Sequence, residues 1–284
     1  MFSLISQRAK GIAKQVKFDI DSVYWDLNDE KKTYKLELRT RGGFVFLIFT
    51  AKQDAETQDS WFFKEATRKT LNVNKTPVPF YRFRSNRRES WRIKEKEQGK
   101  EDVLKLLEHL SKHILSVMKV KNFKFQSFNL KDPENFWGFQ LIENWEQVDI
   151  AGCNSFFVEI KTLKFCLKTL NTRKLCLASP VEEGFKWTTD SGALKVEDLS
   201  IHDSKWITLD ALLTMECKAL RMSSSVNQLT ENDLNKLIKH WLSGGLRNLN
   251  ELVYNFELGI VEDRFSCILE GIETFQWEQR PRIL

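Results

Sequence analysis

Residues 229–245, LTENDLNKLIKHWLSGG, carry a helix start, a helix stop and one apolar face within a single stretch. The Thr230 hydroxyl is suited to accept a backbone N–H from the first helical turn, and Asp233, three residues on, supplies the acidic partner of a capping box. Leu234, Leu237, Ile238, Trp241 and Leu242 recur at spacings of three and four, which predicts a buried stripe. Lys239 and His240 fall where the negative end of the helix dipole favours cations, and Gly244-Gly245 ends the helix. One helix cannot bury its own stripe, so the segments around it decide the fold.

Short strand-like runs surround this helix, at residues 174–177, 196–201, 219–222 and 249–256. Their spacing, roughly 20 to 30 residues, is that of strand-plus-helix units stacked in a leucine-rich-repeat-like array. Towards the N-terminus, residues 101–118 place Val103, Leu106, Leu107, Leu110, Ile114, Leu115 and Val117 on one face of an amphipathic helix. A strand-like NFKFQSFNL follows, and then Asp132-Pro133, a helix-start signal that predicts helix over residues 136–145.

From residue 18 to about residue 96 the period changes to two. FDIDSVYWDL, KTYKLELRT and FVFLIFTA alternate as antiparallel strands, with Gly42-Gly43 able to supply the positive φ of a hairpin turn between the second and third. The third strand is expected to be central. Two more runs, 78–85 and 90–95, flank Asn86-Arg87-Arg88 as a second hairpin whose start Pro77 and Pro79 place at an edge. Before residue 18, Leu4, Ile5, Arg8, Ile12 and Val16 predict one short helix with a basic side. The fold class expected is mixed α/β: an antiparallel module over 18–98, then an irregular strand and helix array over 99–284.

Composition bounds the function. The chain has 284 residues, 42% hydrophobic and 29% charged, enough to bury a sizeable core and unlike a disordered segment. Twenty-one Phe and nine Trp suit a core built from many short elements. The 44 basic and 39 acidic residues are interleaved, which describes a solvated surface better than a nucleic-acid face. Cys153, Cys166, Cys176, Cys217 and Cys267 are odd in number and never spaced as CxxC. They are read as buried free thiols, which argues for a reducing compartment, the cytosol or nucleus, and against a disulfide framework or Cys-rich zinc site. No run approaches the roughly twenty apolar residues of a membrane span, and residues 1–17 lack the apolar block of a secretory signal.

Catalytic patterns are absent from the sequence. His109 and His113 stand i,i+4 on the long helix, but no Glu follows His109 and no third ligand is apparent. No phosphate-binding Gly loop or nucleophile elbow is present, so neither an enzyme, a metal nor a cofactor is expected. Residues 80–92, FYRFRSNRRESWR, interleave aromatics with Arg and give an alternative reading as a single-stranded RNA-binding hairpin. Strand alternation accounts for the same letters without a ligand.

Residues 201–259 add a resemblance. Asp203-Ser204-Lys205-Trp206-Ile207, the helix start Leu229-Thr230 with Asp233 and Leu234, and Lys239-His240-Trp241 with Gly244-Gly245 resemble, in combination and order, the type-2 F-box-associated domain of nematode F-box proteins. FSLISQRAKGIAK at residues 2–14 resembles the last helix of an F-box. The resemblance implies an F-box remnant over 1–17, with Leu4, Ile5, Arg8 and Ile12 facing an adaptor, and a type-2 core over about 196–259. It also implies a monomeric, intracellular substrate-recognition part of a Skp-cullin-F-box ubiquitin ligase that binds an unidentified substrate protein. One helix is small against the roughly 800 Å² per partner of a standard interface, so binding of a Skp-type adaptor is in doubt, and two readings stay open: a start at an internal methionine of a longer gene, or a truncated or decoy form that holds a target without delivering it. Trp61, Trp187 and Trp277 are the expected anchors for the target.

Overall fold

The computed structural model describes residues 19–28, 33–40, 45–52, 67–73, 76–85, 88–94, 100–128, 132–151, 157–191, 195–224, 229–256 and 266–273. The chain divides into two compact units, residues 1–182 and 183–284.

The first unit contains β1 (Asp19–Asn28), β2 (Thr33–Thr40), β3 (Val45–Lys52), β4 (Thr67–Val73), β5 (Thr76–Ser85) and β6 (Arg88–Lys94). It continues with α1 (Lys100–Val117), β7 (Lys119–Phe128), α2 (Trp137–Leu141), β8 (Trp145–Ala151), α3 (Ile160–Lys168) and β9 (Thr172–Leu177). The strands lie in the order β9-β8-β7-β1-β2-β3-β6-β5-β4. As the alternation predicts, β1 pairs antiparallel with β2, and β2 with β3. β5 and β6 form the expected second hairpin pair, Ser85 opposite Arg88.

Three details differ from expectation. β3 joins β6 in parallel, because the β4–β5 hairpin, with β4 unforeseen, is inserted between them in sequence. β5 as a whole is not an edge strand; only its Pro-bearing start, paired with β4 opposite Val73 to Lys69, lies beyond the registered pairing with β6 at residues 81–85 and so has one open side. Residues 136–145 are not one helix. Pro133–Asn135 form a 3-10 turn, α2 spans five residues, and Trp145 already opens β8. The Asp132 side chain makes no cap and instead accepts from Lys161 Nζ at 2.7 Å.

β1 also pairs in parallel with β7, so the sheet runs across the boundary expected at residue 98, and β7, β8 and β9 continue in parallel. Registered residues share a face, and one row across five strands is Leu36–Trp25–Phe125–Val148–Leu175, every member 1% exposed or less. The helices pack on this face. Ser111 of α1 accepts a hydrogen bond from Trp25 Nε1 at 2.9 Å, and Trp137 of α2 meets the Trp25 ring edge-on at 5.9 Å. Phe139 bridges Trp145 and Phe165 of α3 at 5.3 and 5.4 Å.

The second unit contains β10 (Asp198–Ile201), α4 (Leu209–Leu213), β11 (Ala219–Ser224), α5 (Glu231–Leu242) and β12 (Glu251–Phe256). Its strands are parallel, with Leu199 opposite Leu220 and Leu220 opposite Leu252. Leu199, Ile201, Leu220 and Met222 are 1% exposed or less and form its floor. No described helix in either unit is long and apolar enough to cross a membrane.

Candidate protein-interaction site

The residues of the 229–245 stretch behave as their chemistry dictates. Asp233 N–H donates to Thr230 Oγ1 at 3.1 Å while Thr230 N–H donates to Asp233 Oδ2 at 3.0 Å, closing the capping box. Leu229 and Leu234 are both buried, at the two positions of a hydrophobic staple. At the other end Gly244 N–H donates to Trp241 O and Gly245 N–H to His240 O, both at 2.9 Å, with Gly244 at φ +84°. This is the Schellman arrangement, which needs the left-handed conformation that glycine adopts without a Cβ penalty. Gly245 has a second reason to be glycine: a Cβ there would lie 2.2 Å from the His240 ring.

Leu234 and Leu237 are buried, and Ile238 and Trp241 half-buried, with Trp241 Nε1 donating to Leu249 O at 2.7 Å. Leu242 departs from the expected stripe and is 64% exposed. It lies on the flank of α5 where Asn235 is covered instead: Asn235 Nδ2 donates to Ile268 O at 2.8 Å and Glu270 O at 2.9 Å, tying residues 266–273 to the helix.

Asp203 to Ile207 form a tight turn. Asp203 Oδ1 accepts from Lys205 N–H at 3.3 Å, Lys205 Nζ lies 3.6 Å from Asp203 Oδ2, and Ile207 N–H donates to Ser204 O at 3.1 Å. Asp203, Ser204, Trp206 and Ile207 are buried, so the turn drives two apolar side chains into the core. Trp187, expected to be an exposed anchor, is 0% exposed. Its N–H donates to Trp206 O at 2.6 Å, its carbonyl accepts from Thr208 Oγ1 at 2.7 Å, and Phe185 packs against both indoles at 6.3 Å. Apolar area of that size is worth more inside than at a surface, and its backbone ladder fixes it there. Of the cysteines, Cys166 and Cys217 are buried and their thiols pushed up to about 12, with burial the leading cause, whereas Cys267 is exposed, contrary to the expected burial. Leu4, Ile5, Arg8, Ile12, Trp61, Trp277 and Cys153 lie outside the described residues, as do the Gly42-Gly43 turn and the side chains of the 80–92 hairpin.

The motif residues therefore build the scaffold, and surface for a partner must come from elsewhere. Sequence reasoning missed the sheet face opposite the helices in the first unit. Its central row is Glu37–Tyr24–Lys124–Gln147–Lys174, with Lys35–Asp26–Gln126–Asp149–Cys176 beside it. Glu37 is held by Lys35 and by Arg39, whose Nη2 donates at 2.7 Å. Burial pushes the Glu37 carboxyl up, but the hydrogen bonds from these two cations outweigh it and hold it below its ordinary value. Arg39 also lies over the Tyr24 ring at 5.3 Å, and Tyr24 donates to Gln126. Burial, reinforced by nearby carboxylates, raises the Tyr24 hydroxyl well above its usual range. Burial likewise raises Asp149 against the opposing hydrogen bonds from Gln147 Nε2, at 2.9 and 3.1 Å, and the charge of Lys124. The signal for this face was present as polar alternation in KTYKLELRT, FKFQ and EQVDI.

The corresponding face of the second unit is shorter and has smaller side chains. Ser200, Arg221 and Val253 form a row, Arg221 pairs with Glu251 at 2.7 Å, and Ser223 Oγ donates to His202 O at 3.0 Å. Among the described residues no group of three His, Cys, Asp or Glu side chains is placed to hold a metal ion.

No curated protein and no solved structure matches the chain. Residues 193–254, which span β10 to most of β12, match the family described as F-box associated.

Proposed function

We propose that the chain is a protein-binding module that serves as the substrate-recognition part of a Skp-cullin-F-box type ubiquitin ligase, or as a decoy that holds the same target without delivering it. The observation that carries this reading is the family match over residues 193–254. The parallel strand-and-helix units support it, because stacked units of this kind form rigid supports for extended binding surfaces, here read as leucine-rich-repeat-like. The module works without covalent chemistry: a few ordered side chains on a rigid face supply affinity, and the family motifs keep that face in shape.

Affinity capture with the full chain, followed by binding of the purified target to the purified chain, tests this. A target that binds in the purified pair is expected. Failure of every captured protein to bind when purified would sink the reading. Adding a purified Skp-type adaptor separates its two forms: a ternary complex marks a ligase subunit, and a target complex that excludes the adaptor marks a decoy.

A further inference from the structure

The sheet face of the first unit opposite its described helices bears on the nature of the partner. On it the carboxylates form the floor and the cations stand over them: the Glu37 side chain is 4% exposed, against 30% for Lys35 and 42% for Arg39. Asp149 is capped by the Gln147 amide and partly desolvated, while Lys124 and Lys174 flank Gln147 in the same row. Formal charges on this face nearly cancel, yet the Glu37 carboxylate lies beneath Lys35 and Arg39, so the charge presented above it is positive. Adjacent strands lie about 4.8 Å apart, so Lys124 and Lys174, two strands apart, are separated by roughly 10 Å. The arrangement is also ordered before any partner arrives, because Arg39 rests on Tyr24 and Tyr24 is tied to Gln126.

We infer that this face, centred on Lys124 and flanked by Arg39 and Lys174, docks an acidic segment of a partner protein. The inference rests on the protein-binding reading above and names the chemistry of its partner. A protein segment fits better than a nucleic acid. The face carries only a few cations among charges that nearly cancel, too little for a continuous phosphate backbone, whereas a peptide can set single acids beside the lysines and neutral residues between them.

The test uses the purified full chain with three labelled probes: a peptide of Glu and Asp spaced by Gly and Ser, its Lys and Arg counterpart, and poly-uridine RNA. The acidic peptide is expected to bind. The double variant Lys124→Glu/Lys174→Glu should weaken that binding by about tenfold or more. Lys161→Glu, which reverses an exposed charge on α3 away from this face, should leave it unchanged. If the double reversal fails to fold, Lys124→Gln/Lys174→Gln replaces it, with a smaller loss expected in the same direction. No binding of the acidic peptide, equal binding by both variants, preference for the basic peptide, or tighter binding of RNA would each overturn the inference. A purified target that binds the double variant as tightly as the wild type would remove this face and leave the protein-binding reading intact. The absence of any target removes that reading, and the peptide comparison still decides the face.

Discussion

The 1–182 unit and the 183–284 unit both lay parallel strands side by side, but they hold them by different means. In the first, bulk dominates: Trp25 contacts Trp145 and Trp137 at 5.6 and 5.9 Å, and Phe125 contacts Phe136, Phe139 and Trp145 between 4.7 and 5.9 Å. In the second, side chains repeatedly bond to backbone at the ends of elements, as Thr208 does to Trp187 O, Trp241 to Leu249 O, and Asn235 to Ile268 O and Glu270 O. A large aromatic core tolerates imprecise loops because its stability is spread over area. A fold held by caps and clamps depends on particular atoms, and its residues read as motifs.

The largest expected break in this contrast is Trp25→Ala. Removing a fully buried indole that touches three rings and bonds Ser111 should cost about 3 to 5 kcal/mol, seen as a lower urea midpoint. Less than about 1 kcal/mol would mean that the aromatic cluster is not what holds the first unit. In the second unit Asn235→Ala removes both bonds to residues 266–273 and strands two carbonyls, at about 1 to 3 kcal/mol. Amide exchange in residues 266–273 should quicken while that of β11 stays slow; uniform acceleration would contradict a local clamp. Gly244→Ala places a Cβ at φ +84° in otherwise open space, so backbone strain alone should cost about 1 to 2 kcal/mol.

A pH titration sharpens the comparison further, because its signal belongs to the first unit. Glu37 has a folded pKa below its ordinary 4.5, so the stability it contributes is present above that pH and is lost as pH falls through the folded value. Asp149 has a folded pKa above its ordinary 3.8 and acts oppositely: its ionisation costs stability at neutral pH, and that cost fades as pH falls towards 3.8. Glu37→Gln should therefore be less stable than wild type at pH 7 and should show a smaller decline below pH 4.5, the remainder coming from Glu146, which Arg173 also holds below its ordinary value. Asp149→Asn should flatten the profile between neutral pH and 3.8. Unchanged profiles in both variants would show that neither carboxylate is coupled to folding.

The difference between the units also explains what was legible in the sequence. Thr230, Asp233 and Gly244-Gly245 act over five residues or fewer, so their roles could be read from local chemistry alone. Strands β1, β2 and β3 were legible because period-two alternation reports a half-buried sheet. Partner choice between strands was not, since the β3–β6 and β1–β7 pairings join segments far apart in the chain. Asp132-Pro133 signals that a turn begins but not how soon it ends, and the alternation of Gln147, Val148, Asp149 and Ile150 was the better guide to β8. Trp187 and Leu242 show the limit of residue type as a guide to exposure: the indole is enclosed by the turn at Asp203 to Ile207, and the leucine sits on a helix flank whose cover is secured at Asn235. The polar alternation of each strand around Tyr24 and Lys124 was legible, but the face was not, because its residues come from five strands and only the register brings them together.

The most direct test of the central claim is a binding isotherm between the purified chain and a target recovered by affinity capture, repeated with Leu220→Asp, which places a charge in the floor of the F-box-associated region. The account predicts saturable one-to-one binding by the wild type and its loss in the variant. Equal affinity for both proteins would show that the region built by residues 193–254 is not what supports recognition.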